Sequence, residues 1–165
     1  MVQSKASLFS DVEKDLTAKG LQIHSRDITR PWGGYFVIDD SSLTEFKNLF
    51  FADAAIDTTN SDYALSPKVL LVEPGKRLSW QYHNRRSELW TILEGEVDVV
   101  ISETDQPQPP KTLRKGDTIY LEKGIRHRLA GLDDWCIVAE IWQHTHPNHP
   151  SDEEDIIRVA DDFGR

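Results

Sequence analysis

Cys136 is the one cysteine among 165 residues, so no intrachain disulfide can staple this chain, and a reducing compartment suits it. Long apolar runs are also missing. The longest, residues 69–72 and 135–139, fall far short of the roughly 20 residues that a membrane-spanning helix requires. The opening MVQSKASLFSDVEKD has no apolar stretch of the signal-peptide kind. A soluble, cytoplasmic protein is the expectation. Positive charge is scarce: 19 Lys and Arg against 28 Asp and Glu leave a net charge of -9. Such a chain repels phosphate backbones and anionic lipid, which argues against nucleic-acid and membrane partners. What is present, 38% hydrophobic and 28% charged residues, suits one well-buried core and excludes global disorder.

Two helices are expected early. Ser10 with Glu13 forms a capping-box pattern ahead of a face made by Phe9, Val12 and Leu16, and Gly20 stops the helix. Ser42 with Glu45 repeats the box before Phe46, Leu49 and Phe50. Between them, residues 35–38 read as a strand after a Pro/Gly turn. From Pro67 onward, short β-rich runs are punctuated by Pro74-Gly75, Gly95, a Pro-rich surface loop at residues 106–110, Gly116, Gly124 and Gly131. That rhythm predicts an all-β antiparallel sandwich or barrel. One domain is expected: a helical arm with the first strand over residues 1–60, a barrel core over 61–145, and an acidic segment over 146–165.

Chemistry concentrates in two stretches. Residues 75–95 read GKRLSWQYHNRRSELWTILEG, and residues 116–131 read GDTIYLEKGIRHRLAG. Gln81 and His83 share one strand face, Glu88 follows across a tight turn, and His127 comes just after a glycine turn. An amide oxygen, two imidazoles and a carboxylate suit one divalent ion, zinc first among Zn, Mn, Fe, Co and Ni.

The spacing Gly75-x5-Gln81-x-His83-x4-Glu88-x6-Gly95 resembles the first cupin motif, with glutamine for its first histidine. Gly116-x5-Glu122-x-Gly124-x2-His127-x3-Gly131 resembles the second, with glutamate for its proline and glycine for its asparagine. The resemblance implies the cupin double-stranded β-helix, or jelly roll. Arg30-Pro-Trp-Gly33, residues 75–90, Glu154-Asp-Ile-Ile-Arg158 and Asp162-Phe-Gly-Arg165 further resemble the C-terminal cupin domain of type II phosphomannose isomerases. Departures are Asn84-Arg85 in place of a histidine-rich run, Leu89 in place of the histidine before Trp90, some 25 inserted residues before Lys68, and no nucleotide-transferring domain.

The resemblance implies a sugar-phosphate partner and mannose 6-phosphate/fructose 6-phosphate isomerisation, with Gln81, His83, Glu88 and His127 on the metal. Lys68 and Arg77 are the catalytic candidates, and Arg77, Arg85, Trp90 and Arg165 the candidates for holding the substrate and its phosphate. A non-catalytic sugar- or metal-binding module is the alternative, and an oxygenase the more distant one. Each candidate also has a plain structural reading: Arg77 as a salt bridge, Lys68 as an edge lysine, Trp90 as core, and the acidic stretch of residues 151–165 as a solvated strand end. The cluster of His144, His146 and His149 lacks a carboxylate or cysteine partner and reads as a loop. Strict alternation places Arg77, Ser79, Gln81 and His83 on one face and Leu78, Trp80 and Tyr82 on the other. The second face then needs a cover, for which a homodimer is favoured over the N-terminal helix.

Overall fold

The computed structural model describes residues 1–54 and 64–165, so part of the inserted stretch lies outside the described residues. Helix α1 (Lys5–Ala18) is capped by Ser4, whose Oγ accepts the Ser7 amide hydrogen at 3.3 Å. The box expected at Ser10 and Glu13 therefore does not form. Leu8 and Phe9 are buried together with Val12 and Leu16, and a helix starting at Ser10 would leave them outside it. Strands β1 (Ile23–Asp27) and β2 (Gly33–Ile38) form a hairpin, and α2 (Leu43–Phe50) follows a single 3₁₀ turn. Ser42 does precede α2, but its hydroxyl accepts the Gln22 amide at 2.8 Å instead of capping the helix.

The rest is the expected β architecture. It comprises β3 (Leu65–Val72), β4 (Trp80–Tyr82), β5 (Arg86–Glu94), β6 (Glu96–Ser102), β7 (Lys111–Arg114), β8 (Thr118–Leu121), β9 (Arg126–Gly131), β10 (Cys136–His144) and β11 (Ile157–Ala160). Two antiparallel sheets face each other, ordered β1-β2-β3-β10-β5-β8 and β11-β4-β9-β6-β7. This is the cupin jelly roll with two short helices added. The proline-rich residues 106–110 lie exposed outside any strand.

Period-two alternation explains why β3 and β10 look apolar throughout. Val69, Leu71, Ala139 and Ile141 join Phe9, Leu16, Phe36 and Phe46 in a core beneath the helices. Leu70, Val72 and Val138 face the second sheet and pack with Ile92, Val97, Val99 and Leu129. Burying four side chains of α1 stabilises its docking by about 1.5–3 kcal/mol for each large one. Towards one end of the barrel the inward parity turns polar: Lys68 on β3, Glu88 on β5, and Glu140 on β10. That change of chemistry along one face creates the site.

The alternation expected across residues 77–83 fails. Only residues 80–82 form strand, and Arg77 makes an isolated bridge to Ala130. Leu78, buried in the inter-sheet core, lines the same cavity as Ser79 and Gln81. Trp80 is 2% exposed and donates its indole N–H to the Asp105 carbonyl at 2.9 Å. Neither α1 nor a second subunit is needed to cover it, which removes the exposed-face argument for a dimer.

Gly33 positions the loop that brings Arg30 and Trp32 to the cavity. Its φ is +141°, and a Cβ there would lie 1.9 Å from the Leu71 carbonyl oxygen of β3. Gly33→Ala should cost about 2–3 kcal/mol or more through backbone strain and displaced strand pairing. Gly124→Ala has positive φ but open space around it, and should cost about 1 kcal/mol. Thermal or urea denaturation of the two variants checks this order.

Candidate metal centre and cavity

Glu88 and the two histidines are brought together by three different elements. Glu88 lies inward on β5, His127 inward on β9, and His83 just past β4. The Gly124 amide donates to the His83 carbonyl at 2.8 Å, so the turn before His127 docks directly on the backbone of His83. His83 Nε2 lies 3.2 Å from His127 Nε2 and 3.1 Å from Glu88 Oε1, and His127 Nε2 lies 3.5 Å from Glu88 Oε2. Ligands held about 2.0–2.1 Å from a four- to six-coordinate ion are separated by about 2.8–3.4 Å, so this triangle is close to the size a divalent ion needs. All three residues are 2% exposed.

The hydrogen bonds fix the tautomers. His83 Nδ1 lies 3.1 Å from the Asp155 carbonyl oxygen and His127 Nδ1 lies 3.0 Å from that of Ile125. A carbonyl only accepts, so each Nδ1 carries a proton and each Nε2 faces inward. With no proton on either Nε2, two lone pairs would face each other at 3.2 Å, and a bound cation would relieve that contact. Gln81 is paired in register with His127 and lines the cavity, its Oε1 accepting the Ser79 hydroxyl at 2.8 Å.

Arg86 escaped the sequence reading. Its Nε donates to Glu88 Oε1 at 2.8 Å, Nη2 meets His83 Nε2 at 3.2 Å, and Nη1 donates to Ser151 Oγ at 2.9 Å. Burial alone would raise the Glu88 carboxyl, but Arg86 first, then His83 and His127, hold it well below the usual carboxylate range. Burial pushes His127 down to about 4 despite the attraction of Glu88.

Glu88 and His127 line a cavity that opens to solvent. Lys68, Trp90 and Arg165 line it as expected. Arg77 does not: its guanidinium turns outward and pairs with Asp162 at 2.6 and 2.8 Å. Arg85 also turns away and pairs with Asp152 at 3.0 Å. The acidic C-terminal stretch does contain a strand, β11, which pairs with β4 and brings Arg158 to the cavity wall beside Gln81. His144 is buried, bonded to Ser66 Oγ at 2.8 Å and to the Ser151 amide at 2.9 Å, so both of its ring nitrogens are already engaged.

Glu140 was also missed. Each of its carboxylate oxygens accepts one indole N–H at 2.8 Å, from Trp90 and from Trp142. The Trp142 ring carries Lys68 Nζ at 3.7 Å and the Arg86 guanidinium at 3.6 Å from its centroid. Burial lowers the Lys68 ammonium, against the pull of Glu140 and Glu153. The inward parity of β10 was the one available signal for Glu140, and only its position opposite Trp90 gives that parity meaning.

Comparison with known proteins agrees with this architecture. The chain carries a cupin domain: residues 68–134 match the cupin-domain family. It resembles the C-terminal cupin domain of type II phosphomannose isomerases, as its motifs imply. A mannose-1-phosphate guanylyltransferase of Sinorhizobium fredii is 29% identical over 147 residues, covering 88% of this chain and 23% of that protein. One of Escherichia coli K12 is 26% identical over 157 residues, covering 93% and 27%. The chain thus spans about a quarter of the length of these relatives. The oxalate decarboxylase of Bacillus subtilis superposes with a TM-score of 0.57 at 13% identity, over 81% of this chain and 29% of that one, and shares the fold. No helix among the described residues is long and apolar enough to cross a membrane.

Burial first, and then the nearby charge of Glu88, pushes Glu140 up to about 8, against Lys68 and Arg86. Its folded form therefore keeps a proton that the unfolded chain releases in the ordinary carboxylate range. The stability this supplies is complete at acid pH and is lost as pH rises through about 8. The metal-free protein should lose about 1 kcal/mol between about pH 7 and 8.5, where unfolded His127 is mostly neutral and folded His127 entirely so. Urea unfolding across that window should show the slope, and Glu140→Gln should flatten it.

Proposed function

We propose that this cupin is a metal-dependent aldose–ketose isomerase of sugar phosphates, with the mannose 6-phosphate/fructose 6-phosphate pair as its substrates. The carrying observation is the pair of inward imidazole Nε2 atoms converging with Glu88 on one point of a cavity lined with cations. Arg30, Lys68, Arg86, Arg158 and Arg165 stand there against Glu88, Glu140 and Glu153, a formal surplus of two positive charges that becomes three with Glu140 protonated, in a chain of net charge -9. Charge complementarity of this kind favours an anionic ligand. Relatives named for mannose 1-phosphate chemistry support a phosphorylated sugar.

His83, Glu88, His127 and Gln81 would hold the ion, zinc in the first instance. A divalent ion there would polarise the substrate carbonyl and stabilise enediolate charge. In the reaction a proton leaves C2 and enters C1, while another passes from the C2 hydroxyl to the C1 oxygen. Lys68, its ammonium lowered by burial, is the candidate for the carbon-bound proton, and protonated Glu140 for the oxygen-bound one. Arg158 replaces Arg77 and Arg85 in the phosphate clamp. Its buried Nε has no hydrogen-bond partner among the described residues, and a phosphate oxygen would supply one.

A second reading has its own observation. Arg86 already neutralises Glu88 and contacts His83 Nε2, as expected of a non-catalytic module whose polar cluster holds without an ion. Elemental analysis after reconstitution separates the two, with one divalent ion per chain expected for the isomerase.

A coupled assay over a panel of aldose and ketose phosphates tests the reaction. Glu88→Gln and His127→Ala should abolish turnover. Arg158→Ala should raise KM by about 10- to 100-fold through a lost charge-assisted hydrogen bond, leaving kcat nearly unchanged. Arg77→Ala should stay within about twofold of wild type, since that guanidinium serves Asp162. No turnover on any sugar phosphate by the metal-loaded protein would favour the binding module.

A further inference from the structure

Asp155 does nothing in the chemistry proposed above, yet it is 3% exposed and fully engaged. It closes the 3₁₀ turn Glu153–Asp155 that precedes β11. One carboxylate oxygen accepts the Asn84 amide at 3.0 Å, and the other accepts the Arg85 amide at 3.0 Å and the Ser151 hydroxyl at 2.6 Å. These two amides belong to the turn that joins His83 to β5. The backbone carbonyl of the same residue accepts the His83 Nδ1 proton at 3.1 Å. Asp155 thus grips the turn with its side chain and the imidazole with its main chain.

We propose that Asp155 is the positioning residue for His83: its carboxylate anchors residues 151–156 to the 84–85 turn, and its carbonyl holds the ring in the tautomer that turns Nε2 to the metal point. The imidazole would otherwise choose between two tautomers, and only one leaves Nε2 free to bind an ion. His127 needs no such long-range help, because its Nδ1 partner is Ile125, two residues away. The carbonyl that fixes His83 is 72 residues distant in sequence and must be brought to it. Replacing the Asp155 side chain leaves that carbonyl in the chain but removes three hydrogen bonds that place it.

The affinity arm of the test rests on the metal reading above, while the tautomer arm does not. In metal-free protein labelled at histidine nitrogen, long-range ¹H–¹⁵N correlation should show His83 as a single Nδ1–H tautomer. Asp155→Ala should populate the Nε2–H form. Zinc affinity, measured by competition with a chromophoric chelator, should fall by about 10- to 100-fold in that variant. Asp155→Asn, which keeps one acceptor oxygen, should recover part of the loss and serves if Asp155→Ala does not fold. Asp162→Ala, at a carboxylate of the same segment that pairs with Arg77, should leave tautomer and affinity within twofold. Unchanged His83 signals and affinity in a folded Asp155 variant would overturn the proposal, as would an equal loss in Asp162→Ala. Wild-type protein that takes up no zinc would sink the isomerase reading, with the tautomer measurement still deciding on Asp155.

Discussion

Glu88 is an ionised carboxylate with almost no contact with water, and the inner end of the barrel is organised around keeping it charged. An unpaired ion so buried would cost several kcal/mol after relaxation, or would take up a proton. Arg86 answers with a guanidinium bonded directly to it, and two imidazoles stand on its other side. Each partner requires a partner in turn: Ser151 and the Trp142 face for Arg86, and backbone carbonyls for the histidines. The chain of obligations runs outward from one buried charge to the C-terminal strand. Deleting any one partner should therefore cost more than its own contacts suggest.

Electrostatics at the cavity run against the sign of the whole molecule. Cations converge inward at one end of the barrel in a chain whose net charge is -9. An anionic ligand is thereby repelled by the molecule as a whole and attracted at the mouth of this cavity. The field disfavours long polyanions, which must lie across the exterior, more than it disfavours a small phosphate ester that enters the mouth.

How much of this was legible in the sequence depended on distance along the chain. Gln81, His83, Glu88 and His127 could be found because each lies within a short segment whose glycine turns and strand parity are local. Trp90 and Arg165 could be named from the family-like blocks, and Lys68 from the strand that precedes the first of the two motifs. Arg77 was misplaced because parity was extended over residues 77–83, whereas the strand covers only three of them. Arg86 had a local sign in its place two residues before Glu88 on the same strand face, but its cation–π contact with Trp142 depends on the β5–β10 register. Glu140 reads from sequence as one polar interruption in an apolar strand, and only the facing indoles explain it. The acidic stretch from Ser151 onward was read only in part for the same reason: composition reports charge but not the pairing partner, which here lies some 70 residues upstream.

Arg165 lines the cavity while its guanidinium and amide are bound to Asp161. A peptide joined after residue 165 would start from the cavity wall and disturb that bonding. The other terminus is different: Met1 and Val2 are exposed, ahead of a helix that packs on the far side of the six-stranded sheet from the cavity. Affinity handles, surface tethers and fluorescent reporters accordingly belong at the N-terminus, and immobilisation through it would leave the cavity facing free solution.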